Sequence, residues 1–167
     1  GVKVVDISAD FRLKNLSEYE EWYDVKHPFP ELMEDAVYGL TELHRSEVAA
    51  SGLVANPGCY PTGAILALAP AVKAGIIDPD VIVDGKSGVS GAGRGFSLST
   101  HYSEVNESVR AYSLDGHRHL PEITQELGLV ANQEARVTFL PHLIPMTRGI
   151  LASCYAPLKN SFIETVG

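Results

Sequence analysis

Cysteine is scarce. The 167 residues hold two, Cys59 and Cys154, far apart and without a C-x-x-C pair. That is poor material for a disulfide framework or a zinc site, and it suits a reducing cytosol. Positive charge is in deficit as well: Lys and Arg number 13 against 21 Asp and Glu, a formal net charge of −8. A nucleic acid or an anionic membrane surface is therefore excluded as the main partner, although local basic pockets for a phosphorylated small molecule are compatible with the balance. Long apolar runs are missing too. The longest, Ala64 to Val72, is about half the ~20 residues of a membrane span. No signal-peptide pattern opens the chain, where Gly1 to Ile7 reads as a strand already in progress. With no initiating Met, the expectation is a piece that begins inside a domain of something longer. What is present is ordinary for a globular protein: 45% hydrophobic and 20% charged residues, which excludes disorder and coiled coil. A chain of this length makes one domain, or one domain plus a remnant of another, with a core that needs neither disulfide nor metal.

No internal repeat or low-complexity tract is found. Val2 to Ile7 is a β-branched run expected to form a strand buried on both faces. Ser17 to Glu20 fits a capping box ahead of a short helix over Glu18 to Tyr23. His27-Pro-Phe-Pro30 is kept out of helix by its prolines. Helix is expected again over Glu42 to Ala50, a second buried strand over Leu53 to Asn56, and a break at Pro57-Gly58. Tyr60 to Ala74 favours helix, with Pro61 in its first turn, Gly75 as its stop and Pro70 kinking or shortening it. Val81 to Asp84 is a third strand running into a glycine-rich loop, Gly85 to Gly95. Val109 to Leu114, Arg136 to Leu140 and Gly149 to Ala156 alternate as in an antiparallel sheet with one covered face. Between them Pro121 to Leu127 reads as a two-turn helix stopped by Gly128. The early third is α/β and the rest α+β, with a boundary near residue 58.

Three groups of residues carry chemistry. Cys59 follows a strand and a Pro-Gly turn and immediately precedes a helix, where unpaired N–H groups and the helix dipole favour thiolate. The same position also suits a small hydrophobe at a helix start. Cys154 shares an alternating face with Ile150, Ala152 and Ala156 and reads as a buried structural cysteine. In His117-Arg118-His119, an extended backbone directs both imidazoles to one face. His119 stands just before the Pro121 helix, whose N-terminus disfavours imidazolium, while Glu122 favours it. Together they suit an acid/base, although a structural histidine remains open. Metal binding by the H-x-H pair lacks a third ligand at a telling spacing. The loop Lys86 to Gly95 offers glycines whose backbone N–H groups approach an anion closely, the geometry of a phosphate nest; a plain surface loop is the alternative. As a dinucleotide fingerprint its spacing is off. Weaker candidates are Ser8 to Arg12, just past a parallel strand, and Arg148 in the Pro145 to Gly149 turn. Asn15-Leu-Ser17 and Asn106-Glu-Ser108 are glycosylation sequons by pattern only.

In order along the chain, Asp6-Ile-Ser-Ala-Asp-Phe-Arg12, Val54-Ala-Asn-Pro-Gly-Cys59-Tyr-Pro-Thr62-Gly63, Lys86-Ser-Gly-Val-Ser-Gly-Ala-Gly93, His117-Arg-His119-Leu-Pro-Glu122-Ile and Pro141-His-Leu-Ile-Pro-Met146 resemble the motifs of the N-acetyl-gamma-glutamyl-phosphate reductases of arginine biosynthesis. The resemblance runs from residue 1 to about 158, and residues 159–167 match nothing in it. It implies an α+β fold: the end of a parallel, Rossmann-like α/β domain (1–58), then a glyceraldehyde-3-phosphate-dehydrogenase-like catalytic and dimerisation domain (59–167) with a mostly antiparallel sheet. It implies NADPH-dependent reductive dephosphorylation of an acyl phosphate through a Cys59 thioester. His119 is then the acid/base and Glu122 its orienter, with His117 and Tyr112 lining the substrate pocket. Ser87, Gly88, Ser90, Gly91 and Gly93 lie against the nicotinamide side of NADP, and Arg12 or Arg148 holds substrate anions. No metal is implied. The partners are a small-molecule acyl phosphate and phosphate, and further copies of the chain in a dimer or tetramer, in the cytoplasm. The family's glycine-rich nucleotide fingerprint is absent from these residues, so the piece alone is expected to be inactive. Three rivals stay open: aspartate-semialdehyde dehydrogenase or a lysine-pathway acyl-phosphate reductase, a Cys–His acyl hydrolase without nicotinamide, and a non-catalytic dimerisation module. The first of these typically carries Gln where Ser87 stands.

Overall fold

A computed structural model describes residues 1–159; residues 160–167, for which the sequence offers no motif, lie outside them. Two compact units divide the chain, Gly1–Thr62 and Gly63–Gly167.

The first unit is a three-stranded parallel sheet with helical connections. Its elements are β1 (Val4–Asp6), α1 (Leu16–Tyr23), a 3-10 turn (Pro30–Leu32), β2 (Ala36–Tyr38), α2 (Thr41–Ala50) and β3 (Leu53–Ala55), with strand order β1-β3-β2. β3 is the centre, paired Val5↔Val54 on one side and Val37↔Val54 on the other. β1 is an edge strand, and its Val4 and Val5 are exposed. The run Val2 to Ile7 thus forms a strand, but not one buried on both faces, since Val4 and Val5 point to opposite sides and both are open among the described residues. The cap of α1 also differs from expectation. Asn15, not Ser17, accepts from the N–H groups of Ser17 (3.0 Å) and Glu18 (3.4 Å), so the helix starts at Leu16. Leu13, Tyr19 and Met33 form the core of this unit, with Phe11 and Tyr23 against them.

Then come α3 (Cys59–Lys73), β4 (Asp80–Ser87), α4 (Tyr102–Val105), β5 (Arg110–Ala111), α5 (Leu120–Ala131), β6 (Arg136–Leu143) and β7 (Ile150–Tyr155), the four strands ordered β5-β6-β4-β7. Pro70 falls in the last turn of α3, and the helix runs on to Lys73. It closes in a Schellman motif at Gly75 (φ 67°), with Ile76 N–H on Ala71 O and Gly75 N–H on Val72 O, both at 3.0 Å. α5 passes through Gly128 and is ended by Asn132 at φ 52°. Gly128 is there for space: a Cβ would meet the Gln133 carbonyl at 3.2 Å.

The sheet is mixed. β4 pairs antiparallel with β7, and β5 with β6, but the central β4–β6 pair is parallel. Of the expected strand Val109 to Leu114 only Arg110–Ala111 pairs, because Ser113 takes φ 48° and turns the chain. Along β4 burial alternates, with Val81, Val83, Gly85 and Ser87 inside and Ile82 outside, which is the one-covered-face pattern. α5 packs on β6, and its Ile123 and Leu127 are buried together with Val81, Val83, Phe139 and Leu143 of the sheet.

Candidate active site

Cys59 is the first residue of α3, and it is exposed. The turn that delivers it is pinned at Asn56, whose N–H donates to Asp6 O (2.8 Å) and whose carbonyl accepts from Arg12 Nε (2.8 Å). Arg12 Nη2 donates to Ile7 O (3.3 Å), and the residue is buried. The guanidinium thereby fastens the C-terminal ends of β1 and β3. Two of its three nitrogens, Nε and Nη2, thus donate to backbone carbonyls. Beyond Cys59, the Gly58 carbonyl accepts from both Thr62 N–H (3.0 Å) and Thr62 Oγ1 (2.9 Å), closing the first turn. Cys154 of β7 faces the covered side beside Val83, but it is half-buried rather than buried, since β7 is an edge strand; burial pushes its thiol pKa up.

In the second unit the histidine segment is a turn, not an extended strand. Leu120 N–H donates to His117 O (2.8 Å), and His119 is the N-cap of α5 with φ −87° and ψ −12°. The two rings still meet, centroids 4.7 Å apart and edge to face. The turn rather than β-alternation brings them together. His117 also contacts Tyr112 (5.6 Å) and Phe139 (5.4 Å). Its Nδ1 accepts from the His119 N–H (3.1 Å), so the neutral ring carries its proton on Nε2. Burial, then the neighbouring Arg118 charge, lowers its pKa to about 4, so it is neutral at physiological pH. Glu122 lies in the first turn of α5, three residues after His119 and fully buried. Glu126, also buried, stands one turn further along. The motifs do not single out Glu126, although its i, i+4 spacing from Glu122 is a signal for it.

The glycine loop departs most from expectation. Gly85, Lys86 and Ser87 belong to β4, and only then does the chain turn, through a 3-10 segment Val89–Ala92. The N–H groups of Gly88, Val89 and Ser90 donate to the carbonyls of Gly149, Met146 and Thr147 at 2.9–3.1 Å, and that of Gly91 returns to Gly88 O (3.1 Å). A phosphate nest needs such N–H groups directed outward, and here they bind the Met146–Gly149 turn. Gly88 and Gly91 serve close approach instead, whereas Gly93 takes φ 84° with open space about it. Arg148 rides exposed on that turn. Beside it opens a cleft of about 990 Å³ whose walls include Ser90, Gly93, Phe96, Leu98, Tyr102 and Met146. Its wall from Phe96 to Tyr102 is silent in the sequence, since isolated aromatics in a loop carry no period. Among the described residues no group of three metal-ligating side chains is found, and no helix is long and apolar enough to cross a membrane.

Residues 59–165 match the family model of the semialdehyde dehydrogenase dimerisation domain. The chain belongs to the semialdehyde dehydrogenase family. N-acetyl-gamma-glutamyl-phosphate reductases of Pelotomaculum thermopropionicum and Dehalococcoides mccartyi are each 58% identical to it over 95% and 96% of the chain, and that of Moorella thermoacetica is 55% identical over 95%. The chain spans 46–47% of the length of these relatives. Among solved structures, the crystal structure of aspartate semialdehyde dehydrogenase II from Vibrio cholerae superposes with a TM-score of 0.64 at 17% identity, covering 95% of this chain and 49% of that one. This likeness concerns the fold alone. Within the semialdehyde dehydrogenase family, the matched model starts at the residue expected to be the nucleophile.

Proposed function

We propose that this chain is part of an N-acetyl-gamma-glutamyl-phosphate reductase, which converts N-acetyl-L-glutamyl 5-phosphate, with NADPH, to the 5-semialdehyde and phosphate. The observation that carries this reading is the identity of 55–58% over nearly the whole chain with proteins of that name. In this reading residues 1–58 are the last part of a dinucleotide-binding domain. Residues 59–167 are the catalytic and dimerisation domain, the protein assembles from copies of itself, and it works in the cytoplasm, where a free thiol stays reduced.

The exposed Cys59 thiolate attacks the acyl carbon, the C–O bond to phosphate breaks, and phosphate departs with the electron pair, leaving a thioester on Sγ. His119 is the acid/base: it takes the thiol proton, gives it to the oxygen once the acyl carbon is reduced, and takes it back as the C–S bond breaks, so that the aldehyde leaves and the Cys59 thiol is restored; Glu122 orients it. Neutral His117 and Tyr112 line the substrate pocket, where an uncharged imidazole donates a hydrogen bond without adding a charge. Arg148, exposed on its turn, is the cation for the substrate's carboxylate or phosphate.

The residues present fit the nicotinamide end of NADPH. The apolar walls of the cleft at Phe96, Leu98, Tyr102 and Met146, beside Ser90 and Gly93, suit the flat nicotinamide ring. The loop amides, engaged with the Met146–Gly149 turn, offer the pyrophosphate nothing. When bound, NADPH supplies the hydride that reduces the acyl group.

The test is NADPH oxidation by the complete enzyme, followed optically, with N-acetylglutamyl 5-phosphate. Turnover that requires Cys59 and is lost in Cys59→Ser is expected. Hydrolysis of the acyl phosphate at an equal rate without nicotinamide would instead make the protein a Cys–His hydrolase.

A further inference from the structure

Asp10 lies two residues before Arg12 in the loop that follows β1, and its amide, carbonyl and carboxylate are all engaged. Its N–H donates to Ser8 Oγ (3.1 Å), its carbonyl accepts from His27 Nε2 (2.7 Å), and its Oδ1 accepts from Tyr19 Oη (2.9 Å). The two outer side chains come from α1 and from the segment after it. Both are buried, Tyr19 at 3% and His27 at 6% exposure. His27 stands edge to face with Phe11 and with Tyr19, ring centroids 5.3 and 4.7 Å apart. A carbonyl can only accept, so Nε2 carries the ring's proton, while Nδ1 accepts from the Phe29 N–H (3.1 Å). The Tyr19 hydroxyl stays a donor in neutral solution, because burial and then the Asp10 carboxylate push its pKa to about 12.

We propose that His27 and Tyr19 are positioning residues for the nucleophile: by clamping Asp10 they fix Arg12, and through Arg12 the Asn56 turn that presents Cys59. The inference rests on the reading of Cys59 as the nucleophile and deepens it. Leu13, Tyr19 and Met33 already give this unit an apolar core, and an apolar residue at 27 would extend it without burying polar atoms. A histidine there instead directs its N–H to the loop's main chain. From Asp10 the path is short. Arg12 Nε donates to Asn56 O (2.8 Å), three residues before Cys59, and Asn56 N–H donates to Asp6 O (2.8 Å). Every step lies within the unit Gly1–Thr62, at the C-terminal ends of parallel strands, where α/β proteins place their sites.

The test uses the complete enzyme, well below the melting temperature of each variant. His27→Phe keeps a ring and removes both polar atoms. It is expected to lower kcat by about ten- to a hundred-fold, more than it raises KM. Alkylation of Cys59 by iodoacetamide is expected to slow by about two- to five-fold as the first turn of α3 loosens, with Cys154 as the internal reference. His27→Gln, whose amide N–H replaces the imidazole donor, is expected to recover most of kcat. Tyr19→Phe loses one hydroxyl and no packing; it is expected to shift kcat and alkylation the same way by a smaller factor, and it carries the test if His27→Phe does not fold. His27→Phe added to Arg12→Met is expected to slow the enzyme no further, because the path runs through Arg12. Lower melting temperatures with parental kcat and alkylation rates would make His27 and Tyr19 plain core residues and overturn the proposal. Fully additive losses with Arg12→Met would overturn the route. Cys59→Ser with parental turnover would instead overturn the nucleophile reading on which the proposal stands.

Discussion

Gly88 lies against the backbone of Arg148 so closely that a Cβ on Gly88 would stand 2.8 Å from the Arg148 amide nitrogen and 2.9 Å from the Met146 carbonyl oxygen. Main chain surrounds it on that side, so nothing flexible can yield. Its φ of −64° is open to any residue, and the requirement for glycine is therefore spatial and not conformational. Gly88→Ala is expected to destabilise the protein by about 1–3 kcal/mol and to displace the Arg148 turn, raising KM for the acyl phosphate. Gly91 is the control. There the obstacle is Ser87 Oγ at 2.6 Å, a hydroxyl that donates to Gly88 O, so Gly91→Ala is expected to be rescued by Ser87→Ala while Gly88→Ala is not. Urea denaturation of the four variants separates the two cases.

His117 predicts a pH dependence with a definite sign. Its folded pKa of about 4 lies below the ordinary 6.5, so below 6.5 the unfolded chain takes up a proton that the folded one refuses. Stability is full above the unfolded value, falls as pH drops toward 4, and levels below it. After allowance for screening of a half-exposed ring, the loss is about 1–2 kcal/mol. His117→Gln is expected to be less stable at neutral pH but to show a shallower slope across that window. A ring titrating near 6.5 by NMR would contradict the assignment.

Arg12 is expected to behave as support for the nucleophile's turn. Its hydrogen bonds to Asn56 O and Ile7 O carry charge, and Arg12→Ala is expected to cost about 2–3 kcal/mol. Arg12→Met, which keeps the packed stem, is expected to lower kcat more than it raises KM, because the displaced group is Cys59 and not the substrate. A pure KM effect with unchanged melting would return Arg12 to anion binding.

The contrast between Arg12 and Cys59 illustrates what local sequence discloses. Cys59 is legible because strand, Pro-Gly turn and helix are local signals, and the cysteine sits where they meet. Arg12 is not legible in the same way: its partners lie 5 and 44 residues away, and no local pattern reports a long-range hydrogen bond. For His117 and His119 the sequence points to the right pairing by the wrong route. An i, i+2 spacing suggests a shared strand face, but a turn at Leu120 brings the rings together. The parallel β4–β6 pairing is hidden as well, since alternation reports a covered face and not strand direction. β2 is no shorter than β3, but no Pro-Gly break like the one after Asn56 marks its end, so it passes unread in the sequence.

The central claim is that Cys59 carries the acyl group. The direct measurement is to mix the complete enzyme with N-acetylglutamyl 5-phosphate in the absence of NADPH, quench in acid, and map the peptides by mass spectrometry. One N-acetylglutamyl group on the peptide bearing Cys59, with an equal amount of phosphate released, is the predicted result. The peptide bearing half-buried Cys154, whose thiol pKa is raised by burial, is predicted to stay unmodified. Phosphate release with no acyl group on Cys59, or an acyl group found elsewhere, would contradict the account.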